Sequence, residues 1–315
     1  MMQKLIIRTF IYVSLLFSLF AGTIVLYHVL TPNMLQPSDG YFVEDYYKVF
    51  NMVPSADVLI LGNSKVLAAL SAEELGVLAN KKVLNLGFAA ASLAHNKMVL
   101  EAYLKRCRNV PKTLILEVSW FSFSTRRTNF HPYFAARVLS VDWTPVKYMI
   151  RYPEIIQQMP WQLFNYYMTK NKYAGLSFKM HQTYRMKNNP REKSYVFDPK
   201  EMEATFPEYR AGVNKDLVKD FYDIIKMCNE NKIQLILFNA PEDREFTTLQ
   251  RDKIDVQSIF DRAIQENQLN YFDFTLGGKY YMSKMENLLA DSHHIFYTER
   301  FTKIFYNIVI KDIKL

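Results

Sequence analysis

Cysteine and glycine are both scarce in this chain of 315 residues, with two of the first and nine of the second. Two cysteines, Cys107 and Cys228, are too few for a disulfide framework or a zinc site. Cys228 also fits the apolar face of a helix, so packing is the expected role of both, with a single bridge between them left open. No glycine-rich phosphate loop occurs, which argues against a nucleotide-binding α/β protein. Low-complexity tracts and internal repeats are absent. Charged side chains are missing altogether from Thr9 to Leu30, which opens the question of a membrane.

At about 1.5 Å per residue, that uncharged run is long enough to span a hydrocarbon core of roughly 30 Å. Lys4 and Arg8 flank it on one side, and the next charged residue beyond it is Asp39. The positive-inside rule then leaves the N-terminus in the cytoplasm and exports the remainder. A cleaved signal peptide is the competing reading, but its apolar part is usually shorter, and the small-residue cleavage site near Ala21-Gly22 is poorly formed. The expected layout is therefore a tip and transmembrane helix over residues 1–33 and an extracytoplasmic domain over residues 34–315. The formal net charge of +8 implies attraction to anionic lipids, anionic polymers or nucleic acid. Export makes nucleic acid the poorest of the three.

Half of the residues are hydrophobic, enough to bury a large core in one main domain. Val58 to Leu61 is an apolar run bounded by polar residues, as expected of a strand buried on both faces of a parallel sheet. Gly62-Asn63-Ser64 follows as a small-residue turn. It places Ser64 at the carboxyl end of the strand, where ligands bind in open α/β sheets. The alternative is that Ser64 merely caps the next helix. Ser71 and Glu74 have capping-box spacing, Ser92 opens a helix running to about Arg106, and Asn214 opens another. Val83–Leu86, Thr113–Val118, Ile233–Phe238 and Tyr271–Phe274 read as further strands, and a C-terminal helix is expected from about Thr298. Strands and helices alternating at short spacing predict a parallel sheet. The alternation stops between about residues 120 and 210. That stretch is rich in aromatic and basic residues such as Arg126, Arg127, Lys170 and Arg185, and reads as a helical insertion. Its charges are either a solvated surface or a face for an anionic polymer or headgroup.

Acyl transfer through a nucleophile needs a hydroxyl, a base, a group to orient the base, and N–H donors aimed at the oxyanion. Ser64 supplies the first. Asp291-Ser292-His293-His294 carries a base and, three residues earlier, an orienting carboxylate. His294 is preferred over His293 because it completes the Asp-x-x-His spacing. His95, His131 and His181 have no partner pattern and are expected to be structural. Gly87, after the second strand, can bring an N–H towards a substrate carbonyl.

In these blocks the sequence resembles the SGNH (GDSL-like) hydrolase superfamily. Gly62-Asn63-Ser64 is similar to its Gly-Asp-Ser block, Asn85-Leu86-Gly87 to its second block and Asp291-x-x-His294 to its last. The resemblance implies a three-layer SGNH/flavodoxin-like α/β sandwich. It implies catalytic Ser64, Asp291 and His294, with Gly87, Asn63 and Ser119 around the oxyanion or substrate, and neither cofactor nor metal. The anchor, the insertion and Ser119-Trp120-Phe121 are most similar in layout to DltD-type and alginate-acetylation-type members. That layout implies an esterase or O-acyltransferase acting on an acylated carbohydrate or envelope polymer, with a membrane-bound O-acyltransferase as its partner. One block departs: the third strand ends Glu117-Val118-Ser119-Trp120 where the superfamily has Gly-x-Asn-Asp, so an oxyanion-donating Asn is missing. A non-catalytic member that binds an anionic polymer or an acyltransferase partner is the second expectation.

Overall fold

The computed structural model describes residues 55–88, 91–123, 147–148, 151, 212–244, 246, 254–289, 295 and 297–313, together with Ile11, Tyr12, Ser14, Leu15 and Ser18. The chain divides into two compact units, Met1–Gly40 and Tyr41–Leu315. Among the described residues no helix is long and apolar enough to cross a membrane, and most of Thr9–Leu30 lies outside them. Most of the insertion also lies outside them, as do His131 and His181.

Among the described residues, the second unit is built on five parallel strands. They are β1 (Val58–Leu61), β2 (Val83–Asn85), β3 (Thr113–Glu117), β4 (Gln234–Asn239) and β5 (Asn270–Asp273), in the order β2-β1-β3-β4-β5. The order reverses between β1 and β3, and in such sheets the crevice outside the carboxyl ends at that reversal is the usual ligand position. Burial follows rank in the sheet. The inner strands β1 and β3 are buried throughout, while the edge strands β2 and β5 are only partly covered. This is why β1, β3 and β4 read as near-continuous apolar runs.

Two helical layers cover the faces, and strand alternation decides which side chain meets which layer. Leu59, Leu61, Leu114, Leu116, Leu235 and Leu237 pack with Val99 and Tyr103 of α3 (Leu93–Arg106), Phe221 and Ile224 of α4 (Lys215–Glu230), and Phe260 of α5 (Ile254–Asn267). The alternate residues Val58, Ile60, Ile115, Ile236 and Phe238 face the other way. They meet Val66 of α1 (Ser64–Ala69), Leu75 of α2 (Ala72–Ala79) and Phe301 and Phe305 of α6 (Thr298–Phe305). The expected three-layer parallel α/β sandwich is therefore present in the described residues.

The caps follow the sequence closely. Ser71 accepts from Glu74 N–H, Ser92 from His95 N–H and Asn214 from Asp216 N–H. Cys107 and Cys228 are both free thiols, so the open question of a bridge closes against it. Burial pushes the Cys228 thiol up to about 12. His95 is fully buried and stacks on Phe88, with ring centroids 5.2 Å apart, in line with a structural role.

Described residues of the insertion are tied to the helical layer. Tyr148 is buried, and Arg151 pairs with Asp220 at 2.8 Å and Asp216 at 3.1 Å. Asp220 sits on the otherwise apolar face of α4 and is also bound by Lys97 of α3 at 2.9 Å. Burial works against the Lys97 charge, yet bonds to Asp223 and Asp220 leave its ammonium held above the ordinary lysine range.

Candidate functional site

The turn after β1 is constrained from three directions. Gly62 has φ +151°, a conformation that side-chain-bearing residues rarely adopt, and a Cβ there would lie 2.7 Å from Glu117 Cβ. Asn63 caps α1 through Oδ1, which accepts from Lys65 N–H at 2.8 Å. Ser64 is the first helical residue and half-buried. The capping role that the sequence left open for Ser64 thus belongs to Asn63. The carboxyl end of β2 runs alongside: Leu86 N–H donates to Ile60 O at 2.8 Å and Phe88 N–H to Gly62 O at 3.0 Å.

Gly87 lies between those two ladder bonds. A side chain there would run into Val66 Cγ1, so glycine is required by its packing against α1. Its N–H, however, donates to Asn85 Oδ1 at 2.9 Å, and Asn85 Nδ2 in turn donates to Leu70 O at 2.9 Å. Service as an oxyanion donor requires Asn85 to give that hydrogen up.

Ser119 and Asn63 depart further from their expected contacts. Ser119 is fully buried; its N–H donates to Ser122 Oγ at 3.1 Å, and the two hydroxyls are 3.4 Å apart. It starts the 3₁₀ turn Trp120–Phe123 instead of presenting a hydroxyl at the rim. Asn63 is also nearly inaccessible, and its side-chain oxygen is occupied by the cap. Each shapes the turn it sits in.

Asp291, His293 and His294 lie outside the described residues. Their flanks do not. Leu289 and Ile295 form an antiparallel bridge, and both are buried in the cluster that contains Val66 and Ala69 of α1. Four residues beyond His294, Thr298 Oγ1 donates to Ala68 O at 2.6 Å, so α6 is bound directly to the helix that Ser64 begins. Thr302 on the next turn accepts from Ser71 N–H at 3.0 Å.

Beneath the Ser64 turn lies a charged cluster that patterning did not reveal. Lys65 is fully buried, and its Nζ donates to Asn239 Oδ1 at 2.8 Å and Glu242 Oε1 at 2.5 Å, with Glu117 Oε1 at 3.4 Å. Glu117 ends β3 and Asn239 ends β4, so the lysine crosses the carboxyl rim of the sheet from β1 to β4. The available sequence signal was Glu117 itself, an acid at the end of a strand in the inward phase of Ile115.

Asp273 and Tyr271 on β5 border this cluster. Burial raises the Asp273 carboxyl, against hydrogen bonds from Thr275 N–H and Oγ1 and the attraction of Lys65. Burial, then the Asp273, Glu117 and Glu242 charges, hold the Tyr271 phenol well above its usual range, opposed by a hydrogen bond with Asn239. A carboxyl whose folded value is raised binds its proton more tightly in the native state. Its stabilising contribution is therefore complete below about 3.9, the unfolded value, and is lost as pH rises through the raised folded value. Asp273→Asn keeps an oxygen for Thr275 and removes this titration. The expected outcome is a variant at least as stable as the parent at pH 7, with a smaller difference at pH 4, read by urea unfolding at the two pH values.

Among the described residues no group of three or more His, Cys, Asp or Glu is arranged to hold a metal ion. The arrangement that is present is a half-exposed hydroxyl on a rigid strand-to-helix turn at the sheet's reversal point, as nucleophilic chemistry requires.

No protein-family model and no curated protein matches the chain. Solved structures do. One is a candidate acylhydrolase from Bacteroides fragilis, with 10% identity, 86% of this chain and 94% of that chain covered, and a TM-score of 0.41. A GDSL-like lipase from Bacteroides thetaiotaomicron has 9% identity, covers 82% and 87% of the two chains, and scores 0.39. A psychrotrophic esterase from a Pseudoalteromonas species has 10% identity, 82% and 98% coverage and a score of 0.39. Likeness at these scores and identities carries no assignment of reaction or substrate.

Proposed function

We propose that the protein is a serine-dependent acyl-ester hydrolase or O-acyltransferase of the SGNH type, with Ser64, His294 and Asp291 as its triad. Ser64 Oγ attacks the acyl carbonyl while His294 takes its proton, and Asp291 holds the imidazole in orientation. The tetrahedral intermediate collapses, His294 passes the proton to the departing alkoxide, and an acyl-Ser64 ester remains. Water or an acceptor hydroxyl, deprotonated by His294, then releases the acyl group and restores the serine. The Ser64 N–H belongs to the first turn of α1, whose N–H groups have no acceptor within the helix, and is the first oxyanion donor. Gly87 N–H joins it when Asn85 lets go.

The observation that supports this reading is the Thr298 hydroxyl on Ala68 O, 2.6 Å. It ties the chain four residues after His294 to the helix four residues after Ser64, although the two ends are 230 residues apart in sequence. In the same reading residues 9–30 anchor the protein in the cytoplasmic membrane. The α/β unit then works outside, on acyl groups of an envelope carbohydrate or polymer, next to a membrane-bound O-acyltransferase.

The test is labelling of the purified protein with a fluorophosphonate probe. Stoichiometric labelling that Ser64→Ala abolishes is expected, and an unlabelled parent refutes the enzyme. A second reading, a non-catalytic protein that binds an anionic polymer or an acyltransferase partner, is favoured by the Asn85 hold on Gly87 N–H and by the burial of Ser119. An unreactive Ser64 is its signature.

A further inference from the structure

We infer that Lys65 is a positioning residue, a buried cation that sets the rotation of α1 and thereby the direction in which Ser64 faces. A buried ammonium is costly, and an apolar side chain of similar volume fills such a space at least as well. What the charge adds is direction. Three of its partners are fixed on two different strands and the loop after them: Glu117 at the end of β3, Asn239 at the end of β4, and Glu242. They are reached across 174 and 177 residues of sequence for the last two.

Helix α1 has only six residues, too few to hold its own orientation. Successive residues on a helix point about 100° apart. A Lys65 side chain tied into the rim at 0% exposure therefore leaves Ser64 turned outward, where it is half-exposed. Two more contacts lock the same unit. Lys65 N–H holds the Asn63 cap, and the Glu117 that faces Lys65 is the residue whose Cβ stands against Gly62. One ammonium thus joins the turn before the serine, the helix after it and the next two strands of the sheet.

The catalytic part of this inference rests on the proposed role of Ser64, whereas its structural part does not, and the experiment separates them. Lys65→Met alone leaves Glu117 and Glu242 facing each other without the cation. The informative variant combines Lys65→Met with Glu117→Gln and Glu242→Gln. Two amides report on α1: Lys65 N–H, bonded to Asn63 Oδ1, and Leu67 N–H, bonded to Asn63 O. The amides of Ile236 and Leu237 in β4 serve as internal standards. The expected result is a folded triple variant whose amides at positions 65 and 67 exchange at least tenfold faster while those of β4 are unchanged.

With the fluorophosphonate probe, the maximal inactivation rate falls on the order of a hundredfold, the cost of misplacing a reacting group by about 1 Å, with little change in the half-saturating concentration. Parental protection of the amides at positions 65 and 67 in the triple variant overturns the inference. If the triple variant unfolds, Glu242→Gln alone decides, with a several-fold faster exchange at these two amides required. A parent that the probe never labels removes the serine's proposed chemistry but leaves the exchange result to judge Lys65.

Discussion

Ser64→Ala is expected to lower aryl-ester turnover by about a thousandfold or more, with the loss in kcat. His294→Ala should cost a similar factor, and the double variant little more than either alone. Groups that act as one unit in a serine triad fail as one, so their effects do not add. The structure makes Ser64→Ala an unusually clean test. The side chain that caps α1 is Asn63, and Ser64 occupies the first helical position, where alanine is well tolerated. The helix cap therefore survives removal of the hydroxyl, and a thermal midpoint within a few degrees of the parent should accompany the lost activity. Retention of more than a tenth of the parental rate sinks the triad. Additive losses in the double variant would show that Ser64 and His294 act separately.

Gly62→Ala should be among the most destabilising single-methyl additions in the protein, by roughly 2–4 kcal/mol. Two costs combine. The φ of +151° is unfavourable for any residue with a Cβ, and the new methyl would stand 2.7 Å from Glu117 Cβ. The clashing atom is attached directly to the β3 backbone, so no side-chain rotation relieves it. Glu117 is also held in place by Lys65 at 3.4 Å, and moving it disturbs the buried cluster. For a unit of this size, each kcal/mol lowers the melting temperature by about 2–4 °C. A fall of about 5–15 °C by calorimetry is expected, and a fall below 2 °C would mean that the turn relaxes freely.

Much of the fold is legible without coordinates because its cues are local. Val58–Leu61 announces a central strand by being apolar at every position, and Ser71, Ser92 and Asn214 announce helix starts because a cap needs only its own next three residues. The edge strands are read less sharply. Asn85 ends β2 and Asn270 begins β5, since strands covered on one side carry a weaker apolar signal. Ser64 was legible for the same reason as β1: glycine, asparagine and serine after an apolar run spell a turn. Its role relative to Asn63 was not. Which of two neighbouring polar residues caps a helix depends on a backbone angle, here set by Gly62.

By itself the sequence determined a parallel α/β unit, its helix starts and a serine at the end of β1, because hydrophobic period and capping chemistry act over a few residues. Tertiary structure alone decided that Lys65 is buried, that Asn85 takes Gly87 N–H, and that Thr298 binds the Ser64 helix. Each of those depends on groups brought together by sheet order rather than by spacing. A lysine beside Val66 is indistinguishable from a surface lysine until Glu117, Asn239 and Glu242 arrive at the same rim.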